Sequence, residues 1–382
     1  MLSGKSVCDL IRRVLMRSFL RDGHLKIIYN NYKNCNENVY CGICCRIGYA
    51  TKSFIIDNDE YSNNPAFSFI LKTYIDNHYE DVKVLEENSF LYFVLKINGD
   101  DIDNDVKRFV KQIFALDISE DTFIEIKSLA KERFESNYKD ERIRAIYKSC
   151  EIVELSKQFD LPIYIRSLDN ITYEEFLDSY NQLVSLGNSV MVISGNINSN
   201  SVIDISGIEN LDFFRHKDIR LKYRIIDNYI LEDAHVLMKA RNNTDIDILS
   251  FRFDEKVGIM DRLMYFYIEM IKVKGEGLEI HFDECDCGLI VLQKKITSIR
   301  ELYRNIVTEE EFELSRSLLA NKIKETQEKS PYEFIRLLLW LRMLDIKMDD
   351  VIDRINNTDY SAYCDIAKGI KPIIHEAQIV MR

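Results

Sequence analysis

The first half of the chain is written in strand and helix periods separated by short polar breaks. Residues 39–47 read Val, Tyr, Cys, Gly, Ile, Cys, Cys, Arg, Ile, so Val39, Cys41, Ile43, Cys45 and Ile47 share one face and Tyr40, Gly42, Cys44 and Arg46 the other. That is the period of two of a strand. SFLYFVLKI (89–97) and NSVMVISGNI (188–197) also read as strands, and DIDNDVKRFVKQIF (101–114) as an amphipathic helix. ISEDTFIEIKSLAKERFE (118–135) opens with a Ser N-cap and first-turn acids, the chemistry of a helix start. RIRAIYKSCEIVELSKQF (142–159) comes next, then the predicted helix TYEEFLDSYNQLV (172–184). The opening stretch, MLSGKSVCDLIRRVLMRSFLRDG, is amphipathic. Arg12, Arg13 and Arg17 interrupt the apolar core that a signal peptide requires, which predicts a helix lying on the first domain.

The same order returns in the second half. VTEEEFELSRSLLANKIKE (307–325) aligns with 118–135 at a constant offset of 189: Ile118 with Val307, Ser119 with Thr308, Glu120 with Glu309, Phe123 with Phe312, Ser128 with Ser317, Leu129 with Leu318. CGLIVLQKKI (287–296) and TSIRELYRNIV (297–307) precede the second copy. YEFIRLLLWLRMLDI (332–346), two short helical segments and the strand PIIHEAQIV (372–380) follow it. A duplication of this kind predicts two similar α+β domains, each a mostly antiparallel sheet with helices on one face. The expected boundaries are an N-terminal helix over 1–19, a first domain over 20–197, an Asn- and Ser-rich linker over 198–213 and a second domain over 214–382.

Composition narrows the function classes. The 382 residues are 46% hydrophobic and 30% charged, with four prolines and thirteen glycines, which is globular material with little room for disordered linkers. A net charge of −12 argues against a nucleic-acid backbone as partner, though 51 Lys and Arg could still form a local basic groove. No apolar run approaches the roughly 20 residues that span a bilayer. Nine cysteines, an odd count without a secretory signal, point to reduced thiols and the cytoplasm.

The cysteine-rich CGICC (41–45) carries three readings. As a strand it makes Cys41 and Cys45 small buried hydrophobes. As a zinc site it needs a second ligand pair, and Cys285-Asp-Cys287 has uncommon spacing for one. As a redox pair it should open a helix, whereas Cys41 and Cys44 would lie on opposite faces of a strand. The core reading is the expectation. His24, His78, His216, His235, His281 and His375 are scattered, with no second histidine at helical or strand spacing. No nucleophile elbow, P-loop or dinucleotide fingerprint is present.

The order and spacing of these segments resemble the M16 (insulinase and pitrilysin-like) peptidases across most of residues 20–382. HLKIIYNNY followed by VYCGICCRIGYATKSF is similar to their opening hairpin. ISEDTFIEIKSLAKERFE resembles the helix that carries a distal zinc-binding glutamate, and VTEEEFELSRSLLANKIKE its second-domain counterpart. ITYEEFLDSYNQLVSLGNSVMVISGNI is similar to the end of the family's first domain. The resemblance implies a bilobal clamshell half. Active members carry His-x-x-Glu-His on a helix soon after the strand that holds CGICC here. The two imidazoles bind zinc and the glutamate is the general base. The corresponding stretch, IIDNDEYSNNPAFSFILKTYIDNHYED (55–81), offers His78 alone.

The resemblance therefore implies a member with no catalytic residue and no metal of its own, in which Glu132, or alternatively Glu125, marks the vestigial third-ligand position. The family's second domain also supplies an Arg and a Tyr flanking a Gly-Leu. KVKGEGLEIHF (272–282) keeps Gly277-Leu278 but places Lys272 or Val273 and Ile280 at the flanks. Lys272 and Lys274, with Arg262 and Tyr265 upstream, are the candidate peptide-binding residues, against a reading of the latter two as helix surface and core.

The resemblance is to the zinc-less subunit of two-component assemblies. There a zinc-bearing M16-like peptidase and its partner enclose a chamber, and substrate adds as a strand to a sheet edge. Zinc is then expected only in the partner. A composition rich in Asn, Ile, Lys and Asp suggests an AT-rich bacterium, where such pairs accompany leader-peptide and bacteriocin maturation. The alternatives are a stand-alone peptide-binding scaffold acting as a homodimer, and a divergent active metallopeptidase.

Overall fold

Short apolar runs near the N-terminus become strands β1 (Met16–Phe19), β2 (Lys26–Asn31) and β3 (Val39–Cys45). The computed structural model describes residues 16–19, 26–31, 38–48, 51–56, 59–87, 90–97, 101–140, 143, 161–197, 219–223, 234–238, 246–252, 261, 279–282, 287–292, 307–370 and 375–381. After β3 come the hairpin of β4 (Thr51–Ile56) and β5 (Asp59–Ser62), helix α1 (Phe67–His78), and strands β6 (Val82–Glu86) and β7 (Leu91–Ile97). Helices α2 (Ile102–Phe114), α3 (Glu120–Lys139), α4 (Leu161–Asn170) and α5 (Tyr173–Leu183) lead to β8 (Ser189–Gly195). Strands β9 (Ile219–Tyr223), β10 (Ala234–Met238), β11 (Ile246–Arg252), β12 (Glu279–Phe282) and β13 (Cys287–Leu292) follow. The chain ends with α6 (Glu309–Lys329), α7 (Pro331–Met343), α8 (Met348–Asn357), α9 (Tyr360–Ile370) and β14 (His375–Met381).

Two expectations are corrected near the N-terminus. Residues 16–19, expected to close a helix, form β1 and pair antiparallel with β2, where backbone bonding to a sheet edge outweighs the amphipathic pattern; the rest of that stretch lies outside the described residues. The opening hairpin is split: the strand order is β1-β2-β8-β3-β7-β6, with β8 parallel to β2 and antiparallel to β3. A second sheet runs β10-β14-β11-β13-β12, again with one parallel pair, β10 with β14. From β2 onward the first order maps onto the second strand by strand, so the duplication extends to sheet topology.

The repeat also holds atom by atom. The Tyr173 hydroxyl donates to the Ile118 carbonyl at 2.6 Å and the Tyr360 hydroxyl to the Val307 carbonyl at 2.8 Å. Phe123 meets Tyr173 and Phe176, and Phe312 meets Tyr360 and Tyr363. Lys127 lies over Phe123 and donates to the Ile171 carbonyl, while Arg316 lies over Phe312 and donates to the Thr358 carbonyl. Thr172 with Glu175 forms a reciprocal capping box, and so does Thr308 with Glu311.

Two compact units result, and neither is one contiguous stretch. One gathers Met1–Lys127, Ile171–Lys222 and Lys324–Lys347; the other gathers Ser128–Asn170, Tyr223–Ile323 and Met348–Arg382. In the first unit all seven residues of β3 are buried, because the sheet is covered on both sides. α1 packs against β6 and α2 against β7. The other face, that of Gly42, receives α7, a helix encoded in the second repeat. Arg46 anchors the C-terminal end of α7 by donating to the Met343 carbonyl at 2.7 Å. Among the described residues no helix is long and apolar enough to cross a membrane.

Candidate functional site

Sheet alternation makes β6 the informative strand. It ends the six-stranded sheet and pairs only with β7 among the described strands. The Glu87 amide donates to the Phe90 carbonyl at 2.9 Å, which fixes the phase of the ladder. Lys83 and Leu85 direct their backbone groups to β7, and Val84 and Glu86 direct theirs outward. The outward Val82 amide is taken by the Tyr79 carbonyl at 3.0 Å. Val84 and Glu86 therefore turn their N–H and C=O groups away from β7 and have no partner strand among the described residues, yet Val84 is only 4% exposed, so these groups are not open to solvent.

The two faces beside this edge differ in charge. On the α1 face the Ser68 hydroxyl donates to Glu86 Oε1 at 2.5 Å, and Lys72 and Asp76 pair at 2.6 Å. Burial pushes the Glu86 carboxyl up to about 7, against the lowering pull of Ser68 and Lys72. On the α7 face, Arg336 forms an ion pair with Glu87 and donates from Nε to Glu333 at 3.0 Å. The Tyr92 hydroxyl donates to the same Glu87 at 3.2 Å. Tyr332 meets Tyr40 edge-on at 5.1 Å, and Lys83 lies 5.1 Å over the Tyr332 ring.

No family model matches the sequence, and no curated protein matches it significantly. Solved structures do. A candidate M16-like peptidase from Alicyclobacillus acidocaldarius superposes with a TM-score of 0.79 at 11% identity, over 96% of this chain and 98% of that one. An inactive M16 peptidase domain from Pseudomonas fluorescens gives 0.70 at 10%, over 95% and 97%. The first half of the periplasmic protease PqqL from Escherichia coli gives 0.63 at 9%, over 96% and 92%. The fold is M16 peptidase-like.

The M16 resemblance would place a zinc site on the helix that follows β3. After β3 the chain forms the β4–β5 hairpin and only then α1. Phe54 and Tyr61 stack across that hairpin at 5.4 Å. The single imidazole of α1, His78, is its last residue; its Nδ1 lies 2.9 Å from the Tyr74 carbonyl and its ring stacks on Tyr74 at 4.1 Å. The one-turn-earlier position that a second histidine would occupy is Tyr74, a phenol whose hydroxyl proton burial holds on up to about 12. This donor set does not fit a catalytic zinc ion. Among the described residues no three His, Cys, Asp or Glu side chains converge to hold a metal.

The other predicted positions fall as follows. Glu125 and Glu132 are exposed on α3. Arg262, Tyr265, Lys272 and Lys274 lie outside the described residues. Cys41, Cys44 and Cys45 are thiols outside any disulfide and are fully buried, as a core strand requires. Burial raises the Cys41 thiol far above its ordinary range and the Cys45 thiol to about 12, so neither is a thiolate near neutral pH. Cys45 Sγ sits 3.1 Å from the Ser189 hydroxyl, which also donates to the Ser185 carbonyl at 2.7 Å. Sequence reasoning missed Lys83, Glu86, Tyr332 and Arg336. Period-two reading of DVKVLEENSF could have put Lys83 on a strand, but nothing local announces that α7 lies beside it.

Proposed function

We propose that this chain is a non-catalytic M16-like subunit that pairs with a zinc-bearing M16-like peptidase subunit and helps form a peptide-processing chamber. Its role is to hold substrate while the partner cleaves it. The observation that carries this reading is the α1 locus: an M16-like fold whose helix after the β4–β5 hairpin offers one imidazole at its end and none a turn earlier. The likeness to an inactive M16 domain supports it. A sheet edge supplies the holding element, because main-chain hydrogen bonds grip an extended peptide with little demand on its sequence. Leader-peptide or bacteriocin maturation in the cytoplasm is the process we assign to the pair.

Co-expression with a zinc-bearing M16-like subunit encoded beside this gene tests the proposal. A stable heterodimer is expected, with chelator-sensitive cleavage of the adjacent precursor peptide that neither subunit performs alone. A lone homodimer that binds peptide and recruits no peptidase would favour the scaffold reading. Stoichiometric zinc and cleavage in this chain by itself would overturn both.

A further inference from the structure

We propose that β5 docks an extended cationic peptide segment that carries Lys or Arg at alternate positions. What this strand can bind does not depend on a peptidase partner. β5 is an end strand: Asp59, Glu60, Tyr61 and Ser62 pair with Ile56, Ile55, Phe54 and Ser53 of β4, and no described strand lies on the other side. All four of its residues are exposed, whereas Val82 and Val84 of β6 are buried. In an antiparallel ladder alternate residues turn their N–H and C=O groups away from the partner strand, so an exposed end strand is a template for an added one. The side chains decide what adds. Asp59 and Tyr61 stand two apart and share one face. Asp59 forms no ion pair among the described residues. Tyr61 is 40% exposed, and its ring stacks at 5.4 Å on the buried Phe54, which leaves the outer ring face for a cation. On an added strand the side chains that meet Asp59 and Tyr61 are also two apart. Alternating Lys or Arg would set one cation against the carboxylate and the next over the ring. Glu60, on the opposite face, is engaged, accepting from the Ser53 hydroxyl at 2.7 Å. A second copy is a poor occupant, because residues 55–62 carry three acids and no basic residue and like charges facing across a ladder repel. The net charge of −12 draws a cationic segment in at long range.

The test uses the full chain by itself and two fluorescein-labelled octapeptides, alternating Thr-Lys and alternating Thr-Glu, read by fluorescence anisotropy. The Thr-Lys peptide is expected to bind and the Thr-Glu peptide to bind far more weakly. Asp59→Lys should weaken Thr-Lys binding about fivefold or more and Asp59→Asn less, as reversal and removal of one exposed charge pair predict. The Thr-Lys peptide with every backbone nitrogen methylated keeps its charges and loses its N–H donors, so it should lose binding if the peptide adds as a strand. Equal binding of the methylated peptide overturns strand addition. Equal affinity for Thr-Lys and Thr-Glu, or unchanged Thr-Lys affinity in Asp59→Lys, overturns the charge selection. Failure of wild type to bind Thr-Lys overturns the whole proposal, as does a wild-type homodimer that this peptide dissociates, which would give the edge to a second copy. Thermal melts that superpose for the three proteins establish that an affinity change is not a folding change.

Discussion

Gly42 shows how one missing side chain decides which elements meet. A Cβ built there would lie 2.5 Å from Ile335 Cγ2 and 2.7 Å from Leu339 Cδ1, both on α7. The Ile335 methyl is branched at Cβ and cannot swing aside cheaply. Gly42→Ala is expected to lower unfolding free energy by about 1–3 kcal/mol through overpacking, measured by urea denaturation. The Gly42→Ala/Ile335→Ala double variant should be less destabilised than the sum of the two singles, because the second change vacates the space the first one needs. Glu86 makes the second residue-scale prediction. Its carboxyl rises to about 7 in the fold from an ordinary value of 4.5, so the folded protein binds more protons than the unfolded chain between those limits. Its contribution is fully present below the unfolded value and is lost as pH rises through about 7. Glu86→Gln should therefore be more stable than wild type at pH 8, by roughly 1–2 kcal/mol, with the gap closing by pH 5. Melts across that range that show a constant gap would remove Glu86 from the titration.

At the scale of elements, the two repeats solve one local problem twice. Tyr173 and Tyr360 each cap the carbonyl just before a long helix, and each rests on a phenylalanine of that helix. Tyr173→Phe should cost about 1 kcal/mol, the net worth of one part-buried hydrogen bond, and Tyr360→Phe should destabilise in the same direction in chemical denaturation. These elements were legible in the sequence because their signals are local: a Ser or Thr cap, acids in the first turn, an aromatic at a fixed offset. β3, β7, β8, α2, α3, α5 and β14 were legible for the same reason. What was not legible is what lies far along the chain. Nothing in HLKIIYNNY or VYCGICC tells that β8, about 150 residues later, separates them. Lys83 and Tyr332 become a pair only because α7 docks on the first sheet. The coupling of Arg336 with Glu87 belongs to this class. A double-mutant cycle on Arg336→Ala and Glu87→Ala should give an interaction energy of about 1–3 kcal/mol, since removing either partner strands a part-buried charge.

For the whole molecule, the exchange of segments means that neither repeat carries a complete core. The division between units falls inside α3, at Lys127 and Ser128, and inside α6, at Ile323 and Lys324. Each long helix therefore starts in one unit and ends in the other. A chain cut in the predicted linker, giving residues 1–213 and 214–382, would separate α7 from the face of Gly42, Cys44 and Val94 that it covers. Burial of that face is a dominant favourable contribution to the unit, at roughly 25 cal/mol per Å² of apolar surface, and exposed it forms a contiguous apolar patch of the kind that aggregates. Residues 1–213 expressed alone are expected to aggregate, or to bind a hydrophobic dye and lack near-ultraviolet circular dichroism. Co-expression with 214–382 should restore a soluble complex that unfolds in a single transition. Cooperative unfolding of the first fragment by itself would mean that its sheet does not need α7. The segment exchange would then be an accident of packing for the sheet itself, and only the charged face beside β6, which borrows Tyr332 and Arg336 from that helix, would still depend on the second repeat.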